Sequence, residues 1–229
     1  GNDASSTMYA DSISARPSLE IVESAENLPD DEVITKIETA DDLVRFAELV
    51  RGGNSYKDKT VTLVNDVDIS NKLWIPIGTI NDEGKMNAFA GTFDGGNHSI
   101  TGLNINNSTA KIQGLFGAVT GVVKDLTVEG EINSSSVVGG IAAFCSGKIT
   151  NCHSRVNIIA QREAGGIVGT LANGGIVENS DNAGNITLLN KETYAGGIAG
   201  HNIMSVVDNC TNTGNVVNDT DGFRNRLGG

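Results

Sequence analysis

The side chains best suited to chemistry in this 229-residue chain are few and scattered. Its histidines are His98, His153 and His201, and no His-Glu-x-x-His sequence is present, so a zincin centre is excluded. His98 closes the turn Asp94-Gly-Gly-Asn-His98, whose residue types favour a corner over a metal ligand. Asp66 and Asp68, two apart, would share one face of a strand. Such a pair can contribute to a Ca²⁺ site or to acid–base work. Beside the turn at Asn65, and with Ca²⁺ needing about six or more oxygens, a solvated pair is the simpler reading. No Gly-x-Ser-x-Gly elbow and no Gly-Lys-Ser/Thr phosphate loop occurs. Cys152 and His153 are sequence neighbours, so within a strand they point to opposite faces and form no simple thiol dyad. The reading therefore assigns no catalytic, cofactor-binding or metal-ligating residue and expects no cofactor.

The remaining reactive groups are thiols. Cys145, Cys152 and Cys210 are odd in number and form no disulfide framework. Cys145 and Cys152 could pair, although buried free thiols are the blander assignment. Charged residues are 19% and aromatics 4% of the chain, whereas glycine numbers 29. The net charge of −12 is uneven: residues 1–42 hold eleven acids and two bases, and the remainder is nearly neutral. Nothing resembles the basic stripe that nucleic acid requires. No apolar stretch is long enough to span a membrane, and no signal peptide is visible. The chain opens on Gly1 without an initiator Met, so it is expected to come from a longer exported precursor.

What must position these side chains is a tandem repeat. Gly114-Leu-Phe-Gly117, Gly140-Ile-Ala-Ala143, Gly166-Ile-Val-Gly169 and Gly197-Ile-Ala-Gly200 start at intervals of 26, 26 and 31 residues, with Gly222 as a candidate opening of another unit. Periods of this size mark solenoids and related arrays. Each unit carries three short β-branched runs between Gly, Asn, Asp and Ser clusters, as in Gly166–Gly169, Gly175–Val177 and Asn185–Leu189. Such runs read as short strands joined by tight corners. Stacked at one period, they predict a coil of parallel strands with rungs about 4.8 Å apart and alternate residues facing a narrow core. Asn151-Cys152, Asn179-Ser180 and Asn209-Cys210 should then lie one above another. A meander of hairpins is the rival, and it does not require the repeat.

Ahead of the repeats, residues 1–33 read as an acidic leader or linker and 34–229 as one domain. Thr39 is a good N-cap with Asp42 three positions on. Leu43, Phe46, Ala47 and Val50 make one apolar face, and Gly52-Gly53 ends the helix, predicted over about 39–51. It is expected to cap the amino-terminal end of the stack. Thr60–Val64, Val67–Ile69 and Trp74–Gly78 read as strands, with Trp74 in the core. The polar stretch from Thr79 to Asn87 reads as a projecting loop and a candidate recognition surface.

Trp74-Ile-Pro-Ile-Gly78, the run Phe89-Ala-Gly-Thr-Phe-Asp-Gly-Gly-Asn-His-Ser-Ile-Thr-Gly-Leu103, Gly114-Leu-Phe-Gly117 and the later Gly-Gly-Ile-x-Gly units resemble the GLUG-motif proteins over roughly residues 37–221, with repeats over about 114–221. These are bacterial cell-surface and secreted proteins, and the motif also occurs in streptococcal-type immunoglobulin A1 peptidases and filamentous-haemagglutinin-like adhesins. The second unit departs from the pattern at Ala143, which lacks the closing glycine. The resemblance implies an all-β fold, a right-handed single-stranded parallel β-helix (solenoid) with one N-terminal capping α-helix. It implies an adhesin-like module on the bacterial exterior and does not imply catalysis, and the expectation is an exported, non-catalytic module at the cell surface. Such a module would contact a host or matrix protein or glycan, or space other domains of the same longer chain. A polysaccharide-active β-helix enzyme (lyase or hydrolase) and a Ca²⁺-dependent binding module are the competing readings. Asp94 and Asp125 lie too close to turns, and the stack is too short, to favour the enzyme.

Overall fold

A computed structural model describes residues 33–80, 84–106, 110–190, 193–219 and 226–228. The acidic leader expected over 1–33 lies outside them, apart from Val33. The rest winds into a parallel β-solenoid of about six turns with one helix at its start. Its long sheet stacks Lys36–Ile37, Thr60–Leu63, Thr92–Asn106, Val122–Ser134, Lys148–Ala160, Ile176–Glu178 and Val206–Asp208, each parallel to the next. Two smaller sheets complete each circuit. One holds Ile112–Gln113, Val137–Gly139, Ala164–Gly165, Tyr194–Gly196 and Arg226–Gly228; the other holds Phe116–Val119, Ala142–Cys145, Val168–Ala172 and Ala199–Ile203. The parallel-coil reading is right and the hairpin meander is wrong.

Alternation within the strands makes the core. Phe93, Val123, Ile149 and Val177 form one inward column, and Ile105, Ile132, Ile158 and Ile186 form another. Like shapes stack because the side-chain period of two is preserved from rung to rung. The glycine pairs that flag the repeat serve close approach: a Cβ on Gly165 would sit 1.9 Å from the Val168 carbonyl oxygen. Register also corrects the repeat boundary. Gly228 pairs with Gly196, so in sequence the next Gly-Gly pair in register is Gly228-Gly229, and Gly222 lies outside the described residues.

The helix Ala40–Arg51 forms where predicted. Thr39 accepts from the Asp42 N–H at 3.2 Å while the Asp42 carboxylate accepts from the Thr39 N–H at 2.9 Å, a complete capping box. Its inner face sets Phe46 edge-on against Tyr56 and Phe89, at 4.9 and 5.5 Å between ring centroids, over the first rungs. Capping is thus an aromatic plug. Trp74 is buried, and its Nε1–H reaches the Gly114 and Leu115 carbonyls, both at 3.3 Å.

Two expectations fail here. Trp74–Gly78 is not a strand; only Ile77 bridges to Phe116, since Pro76 has no N–H to give a ladder. The two ends of the Thr79–Asn87 stretch are not free either, while residues 81–83 lie outside the described residues. Thr79–Ile80 and Met86–Asn87 pair antiparallel, and Ile80, Met86 and Ala88 pack on Ile112, Ala118 and Ala143. That ribbon is an apolar flap closed on the solenoid wall. No described helix is long and apolar enough to cross a membrane.

Candidate functional site

Residues suited to chemistry lie on the outer surface, and the rung spacing decides what each one meets. Asp94 and Asp125 converge on one cation: Lys124 Nζ lies 2.5 Å from Asp94 Oδ2 and 2.8 Å from Asp125 Oδ2. Asn151 Nδ2 donates to Asp125 Oδ1 at 2.6 Å. The Lys124 hydrogen bond, then the Asn151 amide, hold the Asp125 carboxyl below its ordinary range, and Asp125 first and then Asp94 raise Lys124 above its own. Lys148 and Thr150 grip Glu178, at 2.8 and 3.1 Å, and Arg155 meets Glu129 at 2.7 Å. His153 Nδ1 pairs with Asp181 on the following rung. These carboxylates act as braces between rungs.

The histidines do not assemble. His98 Nδ1 stands 3.3 Å from Asp66 Oδ1, at a corner as expected. His201 Nδ1 lies 3.6 Å from Glu163 Oε1, with the Tyr194 ring stacked on the imidazole at 4.6 Å. Asp66 accepts the Ser99 N–H and Asp68 the Ser70 N–H, each at 2.8 Å, and those backbone bonds are the first cause of their lowered pKa values. The pair therefore organises backbone. Among the described residues no group of three or more His, Cys, Asp or Glu is gathered as for a metal ion.

All three cysteines are free thiols. Cys152 turns inward and His153 outward, as adjacent strand residues must. Burial pushes the Cys145 and Cys152 thiols up to about 12, so neither is a nucleophile at neutral pH.

Sequence reading missed a depression on the outer face of the long sheet. Asn104, Glu131 and Asn157 form one outward column and Asn106, Asn133 and Ile159 the next. They line a hollow of about 270 Å³. It continues past Asn104 and Glu131 into a second hollow of about 370 Å³ bounded by Ser70 and Gly130. Gly130 sits at φ 152°, and a Cβ there would lie 2.0 Å from the Leu103 carbonyl oxygen. The backbone can dip beside the hollow only because this residue is glycine. The signal was present as Asn-Ile-Asn, Glu-Ile-Asn and Asn-Ile-Ile at 104, 131 and 157. It becomes a surface only when the register is known.

This is a β-solenoid protein whose rungs are the repeat. More narrowly, the family model described as the GLUG motif matches residues 192–217, the rung that begins at Thr193, so the chain carries that motif. Halomucin of Haloquadratum walsbyi is 29% identical over 113 residues, 48% of this chain, which spans about 1% of that relative's length. A crystal structure of a candidate immunoglobulin A1 protease from Bacteroides ovatus aligns over 87% of this chain and 85% of its own. That alignment has a TM-score of 0.45 and a sequence identity of 16%.

Proposed function

We propose that this chain is a rigid, non-catalytic module of a protein displayed outside the cell, which holds a binding face or a neighbouring domain clear of the surface. One observation carries the reading: the carboxylates that converge with bases on the outer surface are spent bracing one rung against the next. Lys124 is shared by Asp94 and Asp125, and Glu178 by Lys148 and Thr150. A glycan-cleaving cleft needs one carboxyl with a raised pKa to protonate the leaving group. The shifted carboxyls here move the other way. The matched GLUG motif supports an exported setting, and likeness to halomucin, a mucin by its name, supports a cell-surface address.

The test is turnover. The purified chain, incubated with a panel of plant, bacterial and animal polysaccharides and with immunoglobulin A1, is expected to release no new reducing ends and no new fragments. Reproducible product formation by the wild type would overturn the non-catalytic reading.

A further inference from the structure

The Asn104–Glu131–Asn157 hollow crosses several rungs with polar groups at regular intervals. We propose that it is a binding site for a linear, uncharged glycan laid along the solenoid axis. The inference rests on the surface-module reading and names the ligand class of that module.

Three features select the ligand. First, the polar groups are amides and one carboxylate, which together donate to and accept from hydroxyls. They recur at the rung spacing of about 4.8 Å, so a polymer with a short hydroxyl-bearing repeat meets an equivalent group at each step. Second, most of the backbone is taken up. Glu131 pairs with Asn104 on one side and Asn157 on the other, so an added peptide strand finds no partner there. Beside Asn104 the preceding strand pairs only as far as Thr101, and no described strand continues that ladder. At Glu131 and Asn157 only side chains face the ligand. Third, Glu131 is the single ionisable side chain lining either hollow, and no cation lines them, which disfavours nucleic acid and anionic polymers. Ile159, 39% exposed, gives an apolar wall for the C–H face of a sugar ring.

One lining amide, Asn157, and its neighbour on the next rung are also held in place before any ligand arrives. Asn157 Oδ1 accepts the Asn185 N–H at 3.0 Å, and Asn185 Oδ1 accepts the Asn215 N–H at 3.0 Å. Each side chain is thereby fixed by its oxygen, leaving its Nδ2 donors for a ligand. Such preorganisation lowers the entropy lost on binding. The same column runs on through Asn185 and Asn215, so the site lengthens along the stack.

Calorimetric titration of the whole chain with uncharged linear oligosaccharides of increasing length tests the proposal. Binding is expected to strengthen with length until the hollow is spanned. Glu131→Gln and Asn133→Ala are each expected to weaken it by roughly three- to tenfold, the loss of one or two hydrogen bonds. Both residues are exposed and neither holds a rung together, so the melting temperature should stay within about a degree of wild type. Binding confined to anionic glycans, affinity unchanged in both variants, or no heat at millimolar sugar would each overturn the proposal. Sugar recovered intact after such a failure would leave the non-catalytic reading standing, whereas sugar recovered cleaved would remove that reading itself.

Discussion

The backbone N–H of Cys152 donates to the hydroxyl of Ser180, one rung on, at 3.1 Å, and that hydroxyl donates to the Glu178 carbonyl at 2.8 Å. The column continues to Cys210, whose Sγ lies 3.6 Å from the Val177 carbonyl oxygen. A residue that looks like a polar interruption between two cysteines is therefore a buried link between turns. Ser180→Ala would leave the Cys152 N–H without this acceptor in the core, at a cost of about 1–3 kcal/mol. Urea unfolding at neutral pH should show the midpoint falling with its slope unchanged.

Thiol reactivity should follow depth. Cys210 is half-buried, whereas Cys145 and Cys152 are fully buried with thiols pushed up to about 12. A thiolate-directed reagent at pH 8 should label Cys210 first in the native protein. The other two should react only after denaturant is added, as mass spectrometry of the labelled peptides would record. Early labelling of Cys152 would mean that the core column opens.

How far the sequence reaches can be judged from these columns. The Asn151, Asn179 and Asn209 alignment was legible because all three occupy left-handed corners, at φ 50, 49 and 47°, which Asn tolerates well. The cap helix was legible from Thr39, Asp42 and its apolar face. The ribbon of Thr79–Ile80 and Met86–Asn87 was not, because its apolar members Ile80 and Met86 only make sense against Ala118 and Ala143, which are distant in sequence. The Asn-rich hollow was hidden for a related reason. Asn104, Glu131 and Asn157 lie 27 and 26 residues apart, and only the Gly130 corner and the observed register make them neighbours.

Acid should loosen the bracing. Asp125 has its pKa lowered, first by the Lys124 hydrogen bond and then by Asn151. Its contribution is present above the ordinary carboxyl value of 3.8 and is lost as pH falls through the lowered folded value. Asp66, Asp68 and Glu178 shift in the same direction. The melting temperature should therefore drop on acidification from about pH 5 to about pH 2. Asp125→Asn should be less stable at neutral pH and should lose less over that interval, as parallel thermal scans would show.

The helix should act as a plug that stability measurements can see. Thr39→Ala removes half of the capping box and should cost about 1 kcal/mol. Phe46→Ala empties the space between Tyr56, Phe89 and Phe93 and should cost about 3–5 kcal/mol. If the helix only decorated the stack, both changes would leave the unfolding midpoint of the solenoid untouched. Chemical denaturation followed by the buried Trp74, which lies outside the helix, separates the two cases.

The other end of the stack differs in kind. Among the described residues no strand lies on Val206–Asp208, and Val207 is 39% exposed although its column partners Ile149 and Val177 are fully buried. Met204 beside it is 84% exposed. An edge with free backbone groups and apolar side chains is a template for pairing with another chain. The isolated chain should therefore self-associate as its concentration rises, which sedimentation or light scattering would detect. Val207→Lys places a charge where a stacked rung would have to bury it. The variant should remain monomeric at concentrations where wild type associates, with little loss of stability because the position is already partly solvated. Equal association of the two proteins would place the contact elsewhere, on a face that the exposed edge does not include.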